Sequence, residues 1–180
     1  MPIPRHLSYF RFLLVLPVLL CLGPVAHAQI PKGDVFVGFS RTGSDTFYPN
    51  VGGLNGWEAA VHFKTGHFLG FEGDLTHYGL GADSTVPRTT MVLVGPRITV
   101  GFAGVDIFGH GLVGGEHSSN SNRNLPISGG ALAYALGGGL DFPLAPFFAW
   151  RIQGDRISAP TQSPSNGTHA RFSTGIVLRF

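Results

Sequence analysis

The sequence predicts an all-β protein, an eight-stranded antiparallel up-and-down transmembrane β-barrel, and three observations lead to this prediction. Residues 171–180 alternate between an apolar and a polar face and end on an aromatic side chain. Eight segments with a period of two follow one another along the chain, and the connections between them are long and short in turn. Such strands can cross a bilayer only as a closed barrel, because lipid offers no hydrogen-bond partner to an open sheet edge.

The first 28 residues are predicted to be a cleaved secretory signal. Two arginines precede an apolar stretch over 12–25, and Ala26 and Ala28 form a small-residue cleavage site around His27. Proline and glycine interrupt the stretch, which is too short and too broken for a membrane-spanning helix. The mature protein is therefore expected to be one domain over residues 29–180, the outer-membrane β-barrel domain.

The charge of the mature chain excludes one class of partner. The full chain has 12 Lys and Arg against 10 Asp and Glu. Two of the arginines belong to the predicted signal, so ten basic residues then balance ten acidic ones. The sequence therefore predicts no nucleic-acid binding, which needs a clustered basic face. The single cysteine, Cys21, also lies in the predicted signal, so no disulfide is expected in the mature chain.

Each predicted strand is justified by its alternation. In the first segment, for example, Val35, Val37 and Phe39 alternate with Phe36, Gly38 and Ser40. The fifth segment has apolar residues on both faces, so the sequence leaves open which face meets lipid. The predicted strands cover residues 34–41, 56–64, 68–78, 88–100, 105–117, 130–141, 147–158 and 170–180.

The connections predict how the barrel is oriented. Four are long and polar, over 43–54, 79–87, 118–129 and 159–169, and three are short, over 65–67, 101–104 and 142–146. Outer-membrane barrels have long extracellular loops and short periplasmic turns. We therefore expect both ends of the barrel domain at the periplasmic rim, with an extracellular ligand, where there is one, contacting loops 43–54, 118–129 and 159–169.

The last strand carries the predicted closing-strand assembly signal. Its lipid-facing side chains are expected to be Phe172, Ile176, Leu178 and Phe180, with the terminal aromatic at the membrane interface. Other aromatic residues suit a girdle at the membrane–water interfaces, because amphipathic rings favour that position. These girdle residues are predicted to be Trp57, Tyr78, Tyr134, Trp150 and Phe180.

A set of charged residues is predicted to face the interior of the barrel. In a narrow lumen such charges must pair, because an unpaired buried charge is very costly. The sequence leaves two interpretations open: a salt-bridge plug that fills the lumen, or a charged path of a small low-conductance channel, whose current would be lost in Arg151→Ala. This predicted lumenal charge cluster consists of Glu58, Lys64, Glu72, Asp74, Arg97, Arg151, Asp155, Arg171 and Arg179.

Four stretches resemble the small outer-membrane β-barrel domain proteins of Gram-negative bacteria, which are similar to the transmembrane domains of OmpA and OmpX. These stretches are residues 95–97, 108–115, 135–141 and 173–180. The resemblance implies an eight-stranded outer-membrane barrel, surrounded by lipid and lipopolysaccharide and assembled with periplasmic chaperones and the barrel-assembly machinery. Most members of that family have no assigned activity. We expect a structural, adhesive or surface-interaction role for a monomer without cofactors. A cell-wall tether is not implied, since no peptidoglycan-binding domain follows Phe180.

A lipid A-modifying enzyme is the least favoured alternative. His117 and Ser119 have the H-x-S spacing of outer-membrane lipid A deacylases, in which histidine would act as base and serine as nucleophile. Those enzymes place a glutamate about a dozen residues further on, where this chain has Ala131. We therefore expect no catalytic residues. The scattered histidines do not have metal-binding spacing, so no metal site is expected either.

Overall fold

The protein is an all-antiparallel barrel of eight strands in a computed structural model that describes residues 32–43, 53–80, 88–119, 128–159 and 168–180. These residues belong to a compact unit over Pro31–Phe180. The predicted signal, its cleavage site and most of the four long connections lie outside them. The strands are β1 Gly33–Thr42, β2 Asn55–Lys64, β3 Leu69–Tyr78, β4 Arg88–Phe102, β5 Val105–Ser119, β6 Ser128–Ala145, β7 Phe148–Ser158 and β8 Thr168–Arg179.

Each strand pairs with the next, and β8 pairs with β1 to close the barrel. At the seam Phe36 lies opposite Val177 and Gly38 opposite Gly175. Closure satisfies the backbone groups that an open edge would leave unpaired in lipid. The predicted fold class is confirmed. No helix within the described residues has the length and apolar character needed to span a membrane.

The strand bounds differ from the predicted ones mainly around the short connections. The connection predicted over 142–146 is in fact strand as far as Ala145, and only the turn at 146–147 joins β6 to β7. The ladder shifts register between Pro143 and Ala145, as expected where a proline cannot donate a ladder hydrogen bond. The connection predicted over 101–104 shortens to Ala103 and Gly104, which both have positive φ.

Side chains alternate between a buried interior and an exposed exterior. On β3, Glu72, Asp74 and Thr76 are buried, whereas Phe71 and Leu75 are exposed. The same alternation settles the face of β5: its buried side chains include Phe108, His110 and Leu112, and those exposed include Ile107 and Val113. The apolar exterior is what lipid requires of a membrane-spanning barrel.

One predicted girdle residue lies inside the barrel. Tyr78 is buried, and its hydroxyl is 3.3 Å from Oγ of Ser40. Its position follows from the period of two, which places it on the same face as Asp74 and Thr76. The other predicted girdle residues are on the exterior: Trp57, Tyr134, Trp150 and Phe180.

The interior also holds apolar side chains towards the rim from which the long connections leave, here called the long-loop rim. Tyr78 at the end of β3 belongs to this cluster, as do Leu54 before β2 and Ala159 after β7. Its larger members also include Met91, Leu93 and Leu112. The apolar cluster therefore fills part of the interior beside the polar side chains, since Met91 lies opposite Thr76 on the β3–β4 ladder.

Candidate functional site

The polar interior of the barrel is a continuous set of ion pairs, here called the lumenal network. The set contains side chains from all eight strands, so that it ties opposite sides of the wall together. It consists of Asp34, Glu58, His62, Glu72, Asp74, Arg97, His110, Asp141, Arg151, Asp155 and Arg171.

Arg151 on β7 organises the half of the network nearer the short connections. Its Nε and Nη2 donate to Oδ1 and Oδ2 of Asp141 at 2.7 and 2.8 Å, and Nη2 also donates to Asp34 at 2.9 Å. The two parallel bonds to Asp141 form the bidentate geometry in which arginine–carboxylate pairs are strongest. The guanidinium lies 4.6 Å from the ring centroid of Phe108 and 5.0 Å from that of Phe36.

Arg97 on β4 shares these carboxylates from across the lumen. Its Nη1 donates to Glu72 at 3.0 Å and to Asp34 at 3.4 Å, and its Nη2 donates to Asp141 at 3.3 Å. Its guanidinium carbon is 3.9 Å from the centre of the Phe108 ring. The face of the Phe108 ring therefore makes a cation–π contact with the guanidinium of Arg97.

Arg171 on β8 organises the other half. Its Nε donates to Asp155 at 2.7 Å, and its Nη1 donates to Asp74 at 3.1 Å and to Thr76 at 2.6 Å. Glu58 lies 3.6 Å away as a further counter-charge. Arg171 is buried with these partners, so its positive charge is compensated inside the wall rather than by water.

His110 on β5 joins the two halves. Its Nδ1 is 2.9 Å from Oε1 of Glu72, a partner of Arg97, and its Nε2 is 2.7 Å from Oδ1 of Asp155, a partner of Arg171. Gln153 donates to Glu58 at 2.7 Å and to Asp155 at 3.1 Å, and extends the connection to β2. The network is thus one unit rather than separate ion pairs.

Seven residues of the predicted charge cluster come together in this network, and two do not. Lys64 and Arg179 have the inward register, but both lie at the rim formed by the connections 65–68, 103–104 and 146–147, here called the short-turn rim. Lys64 is exposed there, and Arg179 pairs with Asp106 at 2.9 Å while partly exposed. The alternation correctly predicts that both positions face the interior, but it carries no information on how far from the rim they lie.

Sequence reasoning missed Asp34, His62, His110 and Asp141 as members of the network. The period of two would have placed two of them on the inward face. Asp34 lies on the same face of β1 as Phe36, and Asp141 lies on the same face of β6 as Gly139. His110 lies on the strand whose two faces could not be distinguished. His62 lies in register with Glu58 and Ala60, and it is 2.8 Å from Asp34.

The lipid-facing side chains predicted for the last strand lie where they were expected. Phe172, Ile176, Leu178 and Phe180 are all exposed on the exterior. The ring of Phe180 is 6.3 Å from that of Phe63 in an edge-to-face arrangement. These positions agree with a lipid-facing seam, whereas their role as an assembly signal stays a prediction.

The H-x-S sequence does not form a catalytic arrangement in the described residues. Glu116 is buried inside the barrel and His117 is exposed on the exterior, so this acid cannot orient that imidazole. Ser118 lies inside and donates to Glu116 at 3.1 Å. The side chain of Ser119 lies outside the described part of the chain. Among the described residues, no three His, Cys, Asp or Glu side chains are grouped so as to hold a metal ion.

Solved structures with the same fold are outer-membrane barrels. Neisserial surface protein A is 12% identical, with a TM-score of 0.63 over 83% of this chain and 96% of that one. The N-terminal barrel of Pseudomonas aeruginosa OprF is 10% identical, with a TM-score of 0.64 over 83% and 98%. The attachment invasion locus protein Ail of Yersinia pestis is 18% identical, with a TM-score of 0.56 over 83% and 99%.

The closed wall, its apolar exterior and these similarities define the class of protein: an eight-stranded transmembrane barrel of the outer-membrane type. The resemblance to OmpA- and OmpX-like barrels is confirmed at the level of the fold. No protein-family model matches the chain. No curated protein sequence matches it either.

Proposed function

We propose that the protein is a surface-exposed barrel of the outer membrane whose role is structural or adhesive and whose lumen is closed to ions. In this proposal the signal over residues 1–28 is removed during export, and the barrel is assembled by the periplasmic chaperones and the barrel-assembly machinery. Lipid and lipopolysaccharide surround it as a monomer, and the loops 43–54, 118–129 and 159–169 contact the extracellular partner. The proposal includes no enzymatic activity.

The observation that carries the closed lumen is the burial of Arg97, Arg151 and Arg171 inside the wall. They are the three largest fully buried side chains in the described residues. Each pairs with carboxylates from other strands, and the apolar cluster containing Met91 and Leu93 fills further space in the interior. An eight-stranded barrel has an interior that side chains just fill. A solvated ion would have to displace these buried side chains to pass.

Single-channel recording tests the closed lumen. The refolded barrel in a planar bilayer should give no steps in current, while folded protein is verified by its faster migration on an unheated gel. Arg151→Ala should introduce brief openings, because it removes a central ion pair. The matched control Arg156→Ala removes an exposed arginine from the same strand and should remain silent. Steady steps from the unaltered barrel would contradict the proposal.

A low-conductance channel remains the second candidate, and one observation favours it. In the lumenal network six carboxylates face three arginines, with two histidines between them. An interior with surplus carboxylate favours cations over anions. This candidate predicts steady cation-selective steps from the unaltered barrel, which a closed lumen does not give.

The adhesive role is supported by the fold that this chain shares with Ail, the attachment invasion locus protein of Yersinia pestis. A non-adherent Gram-negative host that displays the barrel should bind epithelial cells or extracellular matrix. Replacing residues 120–127 by a Gly/Ser segment of the same length should reduce that binding. Replacing residues 65–67 at the opposite rim is the control and should leave it unchanged. Equal loss in both variants would point to impaired assembly rather than to contact by the loop.

Localisation can be tested on the same cells. Fractionation should recover the protein with the outer membrane, and its gel mobility should shift on boiling, as expected of a closed barrel. Its N-terminal residue should be Gln29. A periplasmic protein with no heat-dependent shift would refute the membrane assignment.

A further inference from the structure

A small cavity opens at the short-turn rim beneath the lumenal network. Its volume is about 120 Å³, and both lysines of the chain, Lys32 and Lys64, line it together with Arg97, Thr99 and Arg179. We call it the short-turn vestibule. Lys64 donates its backbone N–H to the carbonyl oxygen of Lys32 at 2.8 Å, which holds the two lysine positions side by side at the mouth.

Two polar atoms of the vestibule are buried and have neither a hydrogen-bond nor an ion-pair partner within the described residues: Nε of Arg97 and Oγ1 of Thr99. The other two nitrogens of Arg97 are used by Glu72, Asp34 and Asp141. Arg97 is only 1% exposed, so bulk water does not replace the missing acceptor at Nε. A buried charged donor without an acceptor is costly, which points to an acceptor group in the vestibule.

The carboxylates of the vestibule are already engaged. Asp34 accepts from His62, Arg97 and Arg151, and Asp141 accepts from Arg151 and Arg97. The third, Asp106, pairs with Arg179. No ion pair joins either lysine to an acidic residue in the described part of the chain. Three acidic side chains therefore face four cationic ones, and the surplus of side-chain charge in the vestibule is positive.

We propose that the short-turn vestibule binds a small oxyanion, namely a phosphate or carboxylate group. Arg97 Nε–H and the Thr99 hydroxyl donate to it inside, and the ammonium groups of Lys32 and Lys64 neutralise it at the mouth. The volume accommodates several water-sized groups, which suits a phosphate or acetate group. The site is separate from the loops of the proposed function and does not depend on them.

The Nε–Hε resonance of Arg97 reports directly on the proposed bond. Barrel refolded in alkyl maltoside micelles, which contain no phosphate, would be titrated with sodium phosphate, sodium acetate and, at equal ionic strength, sodium chloride. The resonance would be assigned by its loss in Arg97→Lys. Phosphate or acetate should shift it in a saturable manner, whereas chloride should not.

Variants then locate the binding groups. Lys64→Gln, Lys32→Gln and Thr99→Val should each weaken binding about tenfold, which corresponds to one lost interaction of about 1.4 kcal/mol. Arg88→Gln removes an exposed positive charge at the opposite rim and should leave the affinity unchanged. The proposal is overturned if the resonance does not move with phosphate or acetate, if chloride moves it equally, or if all four variants behave alike.

Phospholipid nanodiscs without free phosphate distinguish two sources of the same chemistry. If the Arg97 resonance in nanodiscs already has the chemical shift of the anion-bound form and does not move when phosphate is added, a lipid headgroup supplies the oxyanion. If it lies at the free position and moves on addition of phosphate, a soluble anion does. If it lies at the free position and stays there, the site does not operate in a bilayer and the proposal fails.

Discussion

Arg151 and Asp141 are opposite each other on the β6–β7 ladder and share two parallel hydrogen bonds of 2.7 and 2.8 Å. Neighbouring strands thus supply both halves of this bidentate ion pair. Asp34, at 2.9 Å from Arg151, extends the pair across the closing seam to β1. The seam is therefore stabilised by side chains inside the barrel as well as by backbone hydrogen bonds in its wall.

Arg151→Ala should lower the free energy of unfolding by about 3–5 kcal/mol, because two buried carboxylates lose their main partner. Equilibrium urea unfolding of the refolded barrel in lipid vesicles measures this change. Arg156→Ala, on the exposed face of the same strand, should change it by less than about 0.5 kcal/mol. Equal effects of the two variants would mean that the network contributes little to stability.

Gly175→Ala should impair closure of the barrel. An added Cβ would collide with the Cα of Gly38 and with the carbonyl oxygen of Val37 across the seam, and both are backbone atoms that cannot move aside. We expect a loss of about 1–3 kcal/mol and a smaller folded fraction on an unheated gel.

Gly73→Ala is the matched control for the seam. There an added Cβ would come no nearer than 3.9 Å to the methyl groups of Val61 and Val94, on the exterior of the wall. This variant should fold as well as the unaltered protein. Similar defects at both glycines would show that loss of glycine itself, and not crowding at the seam, is responsible.

Ile176→Arg should destabilise the barrel, because it places a charge on the lipid-facing exterior, by at most about 2–4 kcal/mol, the cost of an arginine at the bilayer midplane. Ile176 is exposed on the exterior beside Val37 and Trp150, its ladder partners on β1 and β7. Phe180→Arg, at the rim, should cost only about 0–1 kcal/mol. Unfolding in vesicles compares the two, and an equal cost would argue against a lipid-facing exterior at Ile176.

Ala103→Gly should stabilise the β4–β5 hairpin. Ala103 has φ of 51° and precedes Gly104 with φ of 82°, the pattern of a two-residue hairpin turn in which both residues are left-handed. A left-handed residue with a Cβ costs about 1–2 kcal/mol; removing the Cβ should return part of it, about 0.5–1 kcal/mol. The same unfolding assay applies, with Gly104→Ala expected to shift stability in the opposite direction.

The alternation of side chains could be predicted from the sequence wherever one face is plainly apolar, as on β8. On β5 the alternation does not show which face meets lipid, because both faces carry apolar residues: Phe108 and Leu112 face the interior, while Ile107 and Val113 face lipid. The rule that apolar residues face lipid fails at Phe108 because its ring covers two guanidinium groups. An interior built around arginines uses aromatic faces as well as carboxylates.

The partners within the lumen could not be predicted, because they depend on how far neighbouring strands are staggered. Arg97 contacts Asp141 and Asp34 although neither lies on an adjacent strand. Such contacts across the lumen follow from the tilt and closure of the whole wall. Depth depends on the same stagger, which is why Lys64 has the predicted face and still lies at the rim.

The hydrogen bonds between Gly33 and Phe180 have a consequence for engineering. Each residue donates its N–H to the carbonyl oxygen of the other at 3.1 Å. The first and last positions of the wall are thus neighbours, and a linker of a few residues would join them without crossing the lumen. Opening the chain instead within 120–127 would give a circular permutant with the same wall and network but a different order of synthesis, in which β5 rather than β8 is made last.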